Sequence, residues 1–264
     1  MYKPYKPYLI RTPEFSPTSG GIRVMYGLYG WLLAKGQLAY LNTRIDTPSI
    51  GIYPEIYAGN EMDSQKVIRY ILQTPGVMGT TINGVFQRGP TVNEYKNDPQ
   101  YMNDEFYVFS KIYDTFGVND DHILFLPIIN LHLFRDLKKK RTKTCYIVGK
   151  GTNKNKHPED AIELTRELAS DQAQLAVLLN ECQLLYGYDH LTAMYDIARL
   201  CGCPVTYLGD ATRDELKDYE PGLDGIDFGD GTMWTSDAFR FNYENMVTDF
   251  SMKLDRMIDR TQSD

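Results

Sequence analysis

Four cysteines in 264 residues are too few for a disulfide framework, and Cys182, Cys201 and Cys203 lie among apolar neighbours where a small hydrophobe serves as well. No uninterrupted apolar run reaches the roughly 20 residues of a membrane-spanning helix, so no integral membrane segment is expected. The opening Met1-Tyr2-Lys3-Pro4-Tyr5-Lys6-Pro7 lacks the apolar core of a secretory signal, and a reducing cytoplasm is the expected home. A complete G-x-G-x-x-G fingerprint is missing, which argues against dinucleotide enzymes such as a sugar-nucleotide epimerase. A GK[ST] phosphate loop and a G-x-S-x-G elbow are missing too, which argues against P-loop proteins and serine hydrolases. His122, His132, His157 and His190 share no metal-ligand spacing with one another or with the cysteines, and Cys201-Gly202-Cys203 has no second cysteine pair. No metal site and no required cofactor are expected.

Charge is unevenly spread. The chain carries −7 overall, yet Arg135, Lys138, Lys139, Lys140, Arg141, Lys143, Lys150, Lys154 and Lys156 fall in one stretch against a single acid, Asp136. A basic band on an acidic molecule points to a local anion site rather than to wholesale coating of nucleic acid. The run at 138–141 reads equally well as a solvated linker.

Apolar runs alternate with helical periods, the pattern of α/β layers. In the first half, residues 8–11, 37–41, 50–53, 105–109 and 122–126 read as strands, and 22–35 as a helix closed by Gly36. Asp63 is expected to cap a second helix with Val67, Ile68, Ile71 and Leu72 on one face. Residues 80–104 read as a polar, mobile insertion. After the basic band the pattern restarts: strands at 144–148 and 161–165, a helix capped by Ser170, and then residues 183–208, QLLYGYDHLTAMYDIARLCGCPVTYL. That stretch is an apolar run ending at Tyr186, a polar loop, a helix with Leu191, Met194, Tyr195, Ala198 and Cys201 at 3.6-residue spacing, a stop at Gly202 and a second strand. It is half of a doubly wound nucleotide-binding unit. The chain ends in a long amphipathic helix, with Tyr243, Met246, Val247, Phe250, Leu254, Met257 and Ile258 on one stripe. Two domains follow, 1–136 and 137–264, with helix 243–261 packing back across both.

Several loops carry chemistry. Helix starts favour anions, so the loop opening the helix after Tyr186 suits a diphosphate, with Tyr188 to stack on a base or sugar and Thr192 to offer a hydroxyl and an amide. Asp189 reads as a helix cap or a ligand contact. His190 and Leu191 complete the loop, and Asp196, one turn beyond Thr192, is placed to accept ribose hydroxyls. Gly149-Lys150-Gly151 ends the first strand of the second half, where ligands of open α/β sheets bind, and Lys150 is set to offset diphosphate charge. In the first half, Gly20 and Gly21 let a ligand approach the backbone at a helix start, or form a simple turn. Glu55 ends a strand and is the candidate general base, with Glu14 and Asp46 as competitors.

These segments together resemble GT-B glycosyltransferases of bacteria and phages: Tyr53-Pro54-Glu55 with Gly59-Asn60, residues 67–76, 146–151 and 188–205. The resemblance implies two Rossmann-like domains facing across a cleft, a nucleotide sugar such as a UDP-sugar held by the second and an acceptor by the first, with no metal. The implied activity is transfer of a sugar to an acceptor hydroxyl, with Glu55 and Lys150 catalytic. A surface glycan or lipid-linked saccharide is the first expectation for the acceptor; a hydroxymethylated cytosine of DNA, contacted through the basic band, is the second. Many GT-B enzymes hold the ribose with a Glu where Asp196 stands. A nucleotide-sugar-binding module without catalysis is a further alternative.

Overall fold

The computed structural model describes residues 5–82, 84–231 and 236–263. It divides into a first unit, Met1–Ile128 with Val247–Asp264, and a second, Ile129–Met246. The boundary expected after residue 136 therefore lies after 128, and the chain's end belongs to the first unit rather than the second.

In the first unit the chain runs β1 (Tyr8–Ile10), α1 (Gly20–Ala34), β2 (Ala39–Leu41), β3 (Ile50–Pro54), β4 (Lys66–Ile71), a hairpin β5 (Gly79–Ile82) and β6 (Val85–Arg88), α2 (Val92–Asn97) and β7 (Glu105–Val108). Five of these strands form one parallel sheet, ordered β2-β1-β3-β4-β7. Strand alternation sorts the side chains onto two faces. Tyr8, Ile10, Ile50, Ile52, Ile68, Tyr70 and Tyr107 meet Val24, Met25, Leu28 and Leu32 of α1. Leu9, Tyr53 and Val67 face the other way, where Tyr57 and Met62 cover them.

The second unit contains β8 (Lys143–Ile147), β9 (Ile162–Glu163), α3 (Arg166–Ser170), α4 (Gln172–Glu181), β10 (Cys182–Gly187), α5 (Ala193–Leu200), β11 (Val205–Tyr207) and β12 (Ile226–Asp227). Its sheet is also parallel, ordered β12-β11-β10-β8-β9. Counted within its own unit, each sheet has its first strand between its second and third, with the fourth and fifth beyond. This is a doubly wound order, and it is the same in both halves. The last helix, α6 (Ser236–Ser263), buries Phe239 and Tyr243 in the second unit and Phe250, Leu254, Met257 and Ile258 in the core of the first.

Four expectations need correction. The helix expected at 67–72 is β4, a central strand buried along nearly its whole length between β3 and β7. A short apolar run has no decisive period, and β-branched Val67, Ile68 and Ile71 favour the strand. Asp63, expected as its cap, holds a left-handed φ of 55° in the preceding turn. The strand expected at 122–126 is a single 3₁₀ turn, Asp120–His122, followed by one parallel bridge from Ile123 to Val108. The insertion at 80–104 is ordered into the hairpin and α2, whose Thr91 and Glu94 form a reciprocal capping box. The cap of α4 is Asp171, not Ser170, with the Asp171 carboxylate accepting Gln174 N–H at 2.9 Å. Among the described residues no helix is long and apolar enough to cross a membrane.

Candidate functional site

In the second sheet the winding reverses between β8 and β10, and the loops leaving their carboxyl ends diverge there. Those loops are Gly149-Lys150-Gly151 and residues 188–192, so the fold brings the two motifs together. Asp189 joins them. One carboxylate oxygen, Oδ2, accepts Lys150 N–H at 3.0 Å, and Oδ1 accepts Leu191 N–H at 3.2 Å. The flanking glycines are required by this junction. A Cβ on Gly149, whose φ is +55°, would stand 2.2 Å from Asp189 Oδ2, and one on Gly151 would stand 2.1 Å from Tyr188 O. The close approach they permit is to residues 188 and 189 of the same unit. Lys150 and His190 are exposed on the rim, and among the described residues the Lys150 ammonium has no ion-pair partner.

Other expected contacts are already used within the protein. Tyr188 is 2% exposed, and its hydroxyl accepts Lys156 N–H at 2.9 Å and lies 2.8 Å from His157 Nδ1. Burial removes its ring as a stacking platform for a base. Thr192 is the N-cap of α5, its Oγ1 accepting Met194 N–H at 3.3 Å. Asp196 is buried beneath the first turn of α5, where its Oδ1 accepts from Arg199 at 2.7 Å and its Oδ2 accepts from Tyr219 at 3.2 Å. Burial pushes its carboxyl up to about 6 against the pull of the Arg199 guanidinium. That carboxylate holds the fold together and is not presented to a ribose. Arg199 is fully buried, donates to Gly222 O at 2.9 Å and Asp224 O at 2.7 Å, and lies 3.8 Å over the Phe239 ring.

In the first unit the corresponding reversal lies between β1 and β3. Gly20 and Gly21 open α1 beyond β1, with Gly20 exposed and Gly21 against Leu72. Glu55 follows β3 and is 3% exposed, its Oε2 accepting Leu72 N–H at 2.8 Å. It pins the ends of β3 and β4 together. Of its competitors, Glu14 is exposed in the loop before α1. Asp46 lines a shallow depression with Arg44, Asp63 and Gln65, residues that precede β3 and β4 and so lie toward the opposite end of the sheet.

Sequence reasoning missed Arg69. Arg69, on β4, is 1% exposed, bonded to Asp104 at 2.6 Å, Tyr57 O at 3.2 Å and Gly59 O at 2.6 Å, with the Tyr53 and Tyr101 rings about its guanidinium. Assigning the segment to a helix hid this; an arginine inside a β-branched run was the available signal. Lys154 pairs with Asp210, beyond the end of β11. The basic stretch is also divided. Residues 135–141 precede β8, Lys143 opens it, and 150–156 follow it, so the five-residue strand, about 16 Å long, runs between the two groups. Arg141 is turned inward, bonded to Asp136 and to the carbonyls of Leu179, Cys182 and Cys201. Among the described residues no cluster of His, Cys, Asp and Glu is arranged to hold a metal.

No family model matches the chain, and no curated protein matches it. Among solved structures, it is similar to a functionally uncharacterized protein from Klebsiella pneumoniae. That match has 14% identity and a TM-score of 0.43 over 83% of this chain and 89% of that one.

Proposed function

We propose that the protein is a glycosyltransferase of the GT-B type, moving a sugar from a nucleotide diphosphate to an acceptor hydroxyl, with the donor on the second unit and the acceptor on the first. The observation that carries this is the meeting of the Gly149-Lys150-Gly151 and 188–192 loops where the second sheet reverses its winding, beside an exposed lysine ammonium. Crevices at such reversals are where open α/β sheets take nucleotides. Asp189 holds both loops in place before any ligand arrives, and Lys150 supplies a point charge for the diphosphate. As the sugar leaves, negative charge grows on that diphosphate, and the ammonium stabilises it electrostatically. The first turn of α5 is a lesser contributor, because its cap already occupies one amide.

A glycan or lipid-linked saccharide is favoured as acceptor over a hydroxymethylated base in DNA, since the basic residues form two separated groups rather than one phosphate-tracking band. A thermal-shift screen over nucleoside diphosphates and nucleotide sugars tests the assignment. One nucleotide should raise the unfolding midpoint by several degrees at a concentration far above its Kd. A midpoint indifferent to every nucleotide would contradict it.

A further inference from the structure

The β5–β6 hairpin of the first unit carries exposed apolar side chains on both of its faces. β6 is exposed along its whole length, with Val85 63% and Phe86 65% accessible, and Val77 and Met78, which lead into β5, are exposed as well. Gly79 pairs with Arg88 and Thr81 with Phe86, and the pair of strands joins neither five-stranded sheet. A two-stranded ribbon of that kind is marginal in water by itself. Its base is fixed to the unit: Gly89 N–H bonds to Met78 O at 3.0 Å, and a Cβ on Gly89 would stand 2.2 Å from Glu55 O. The ribbon therefore rises beside Glu55, at the carboxyl end of β3.

Geometry and charge together identify what covers it. Val85 and Phe86 are consecutive in one strand, so their side chains leave opposite faces of the ribbon. A protein partner laid on one face would leave the other in water, whereas immersion of the ribbon covers both. Four apolar side chains are also far fewer than the roughly 20–30 residues per side of a stable dimer interface. Charge points the same way. Between Asp63 and Glu94 the chain has no acid, although the whole carries −7. The one charge on the ribbon is Arg88 at its base, largely exposed and 4.0 Å from Glu94. A cation beneath an apolar tip matches a bilayer interface, with the tip at the acyl boundary and the guanidinium among anionic headgroups.

We propose that the hairpin docks the protein on an anionic lipid bilayer by shallow insertion of Val85 and Phe86, with Val77 and Met78 following at the interface. The insertion is shallow because the outer edges of the ribbon have unpaired backbone groups, which need water or headgroups as partners. Docking holds the carboxyl end of the first sheet, with Glu55, at the membrane surface. It does not depend on the transfer activity; combined with that activity, on which this further step rests, it makes the acceptor a lipid-linked compound presented at the bilayer.

Co-sedimentation of the full chain with vesicles tests this, using phosphatidylcholine alone and phosphatidylcholine mixed with phosphatidylglycerol. The parent should bind both, and the mixed vesicles more tightly. Val85→Ser combined with Phe86→Ser should weaken binding at least tenfold at an unchanged unfolding midpoint, since both side chains already stand in water. Arg88→Gln should weaken binding about five-fold on the mixed vesicles and leave the neutral ones unaffected. Phe86→Trp should add fluorescence that brominated lipid quenches. The proposal is overturned if the parent binds neither vesicle, or if the double variant binds as the parent does. It is also overturned if the parent forms a concentration-dependent dimer that the double variant abolishes, which would give the surface to a second copy. Vesicle binding by a protein that no nucleotide stabilises would leave the docking standing and remove the transfer reading.

Discussion

Asp189 accepts the backbone N–H of Lys150 at 3.0 Å, so a carboxylate expected either to cap a helix or to meet a ligand instead ties two loops of the second sheet together. It also accepts Leu191 N–H. Asp189→Ala leaves both amides without their acceptor in a part-buried corner. The expected cost is about 2–4 kcal/mol, read as a lowered denaturant midpoint. Asp189→Asn keeps one acceptor oxygen and should cost less than half as much.

Gly149→Ala strains the same junction from the other side, since it places a methyl against Asp189 in a left-handed backbone. A loss of about 1–3 kcal/mol is expected. Gly20→Ala, at the open start of α1, should cost nothing measurable, and comparing the two unfolding curves checks the assignment.

Asp196 and Arg199 form a buried pair at 2.7 Å. Below about pH 6 burial keeps the Asp196 carboxyl neutral and an amide keeps its acceptor oxygen for Arg199, so Asp196→Asn should cost about 1 kcal/mol there. Because burial raises the Asp196 carboxyl from 3.8 to about 6, its contribution to stability is present below 3.8 and lost as pH rises through 6. The penalty of Asp196→Asn should therefore be smaller at pH 7 than at pH 4.5, in matched urea titrations.

Glu105 behaves in the opposite sense. Burial alone would raise its carboxyl, but His122, Arg260, Lys66 and Tyr107 outweigh it and hold the group at about 2, below its ordinary 4.5. Its contribution, about 3 kcal/mol, is present above 4.5 and lost as pH falls through 2. Glu105→Gln should be clearly less stable than the parent at pH 7 and nearly equal to it at pH 2.

Glu55→Gln separates two roles. As a pin for Leu72 N–H, the amide oxygen substitutes for the carboxylate and stability falls by less than about 1 kcal/mol. As a general base, turnover falls by about 100-fold or more at unchanged stability. Burial at the end of β3 leads us to expect the first result, measured as parallel unfolding and initial-rate curves.

Much of the architecture was legible because α1, α5 and α6 are long or strongly periodic, with Gly36 and Gly202 marking the ends of α1 and α5. β4 was not, since an apolar run of its length suits either a central strand or a helix turn, and only its pairing with β3 and β7 decides. The hairpin and α2 were read as mobile because their residues are polar; their order comes from strand pairing and from the Thr91–Glu94 cap. At the site, the positions of Lys150 and residues 188–192 followed from strand ends, whereas the fates of Tyr188, Asp189 and Asp196 did not. Whether a tyrosine or carboxylate faces solvent depends on partners distant in sequence, here Lys156 for Tyr188, Lys150 for Asp189 and Tyr219 for Asp196.

Diphosphate binding on the second unit rests on one ammonium group. Isothermal titration of the parent and of Lys150→Ala with the nucleoside diphosphate preferred in the thermal-shift screen measures it directly. Losing a charge-assisted contact worth about 1.5–3 kcal/mol should weaken binding by about 10- to 100-fold at unchanged unfolding midpoint. Equal affinity in the two proteins would contradict a diphosphate held by Lys150.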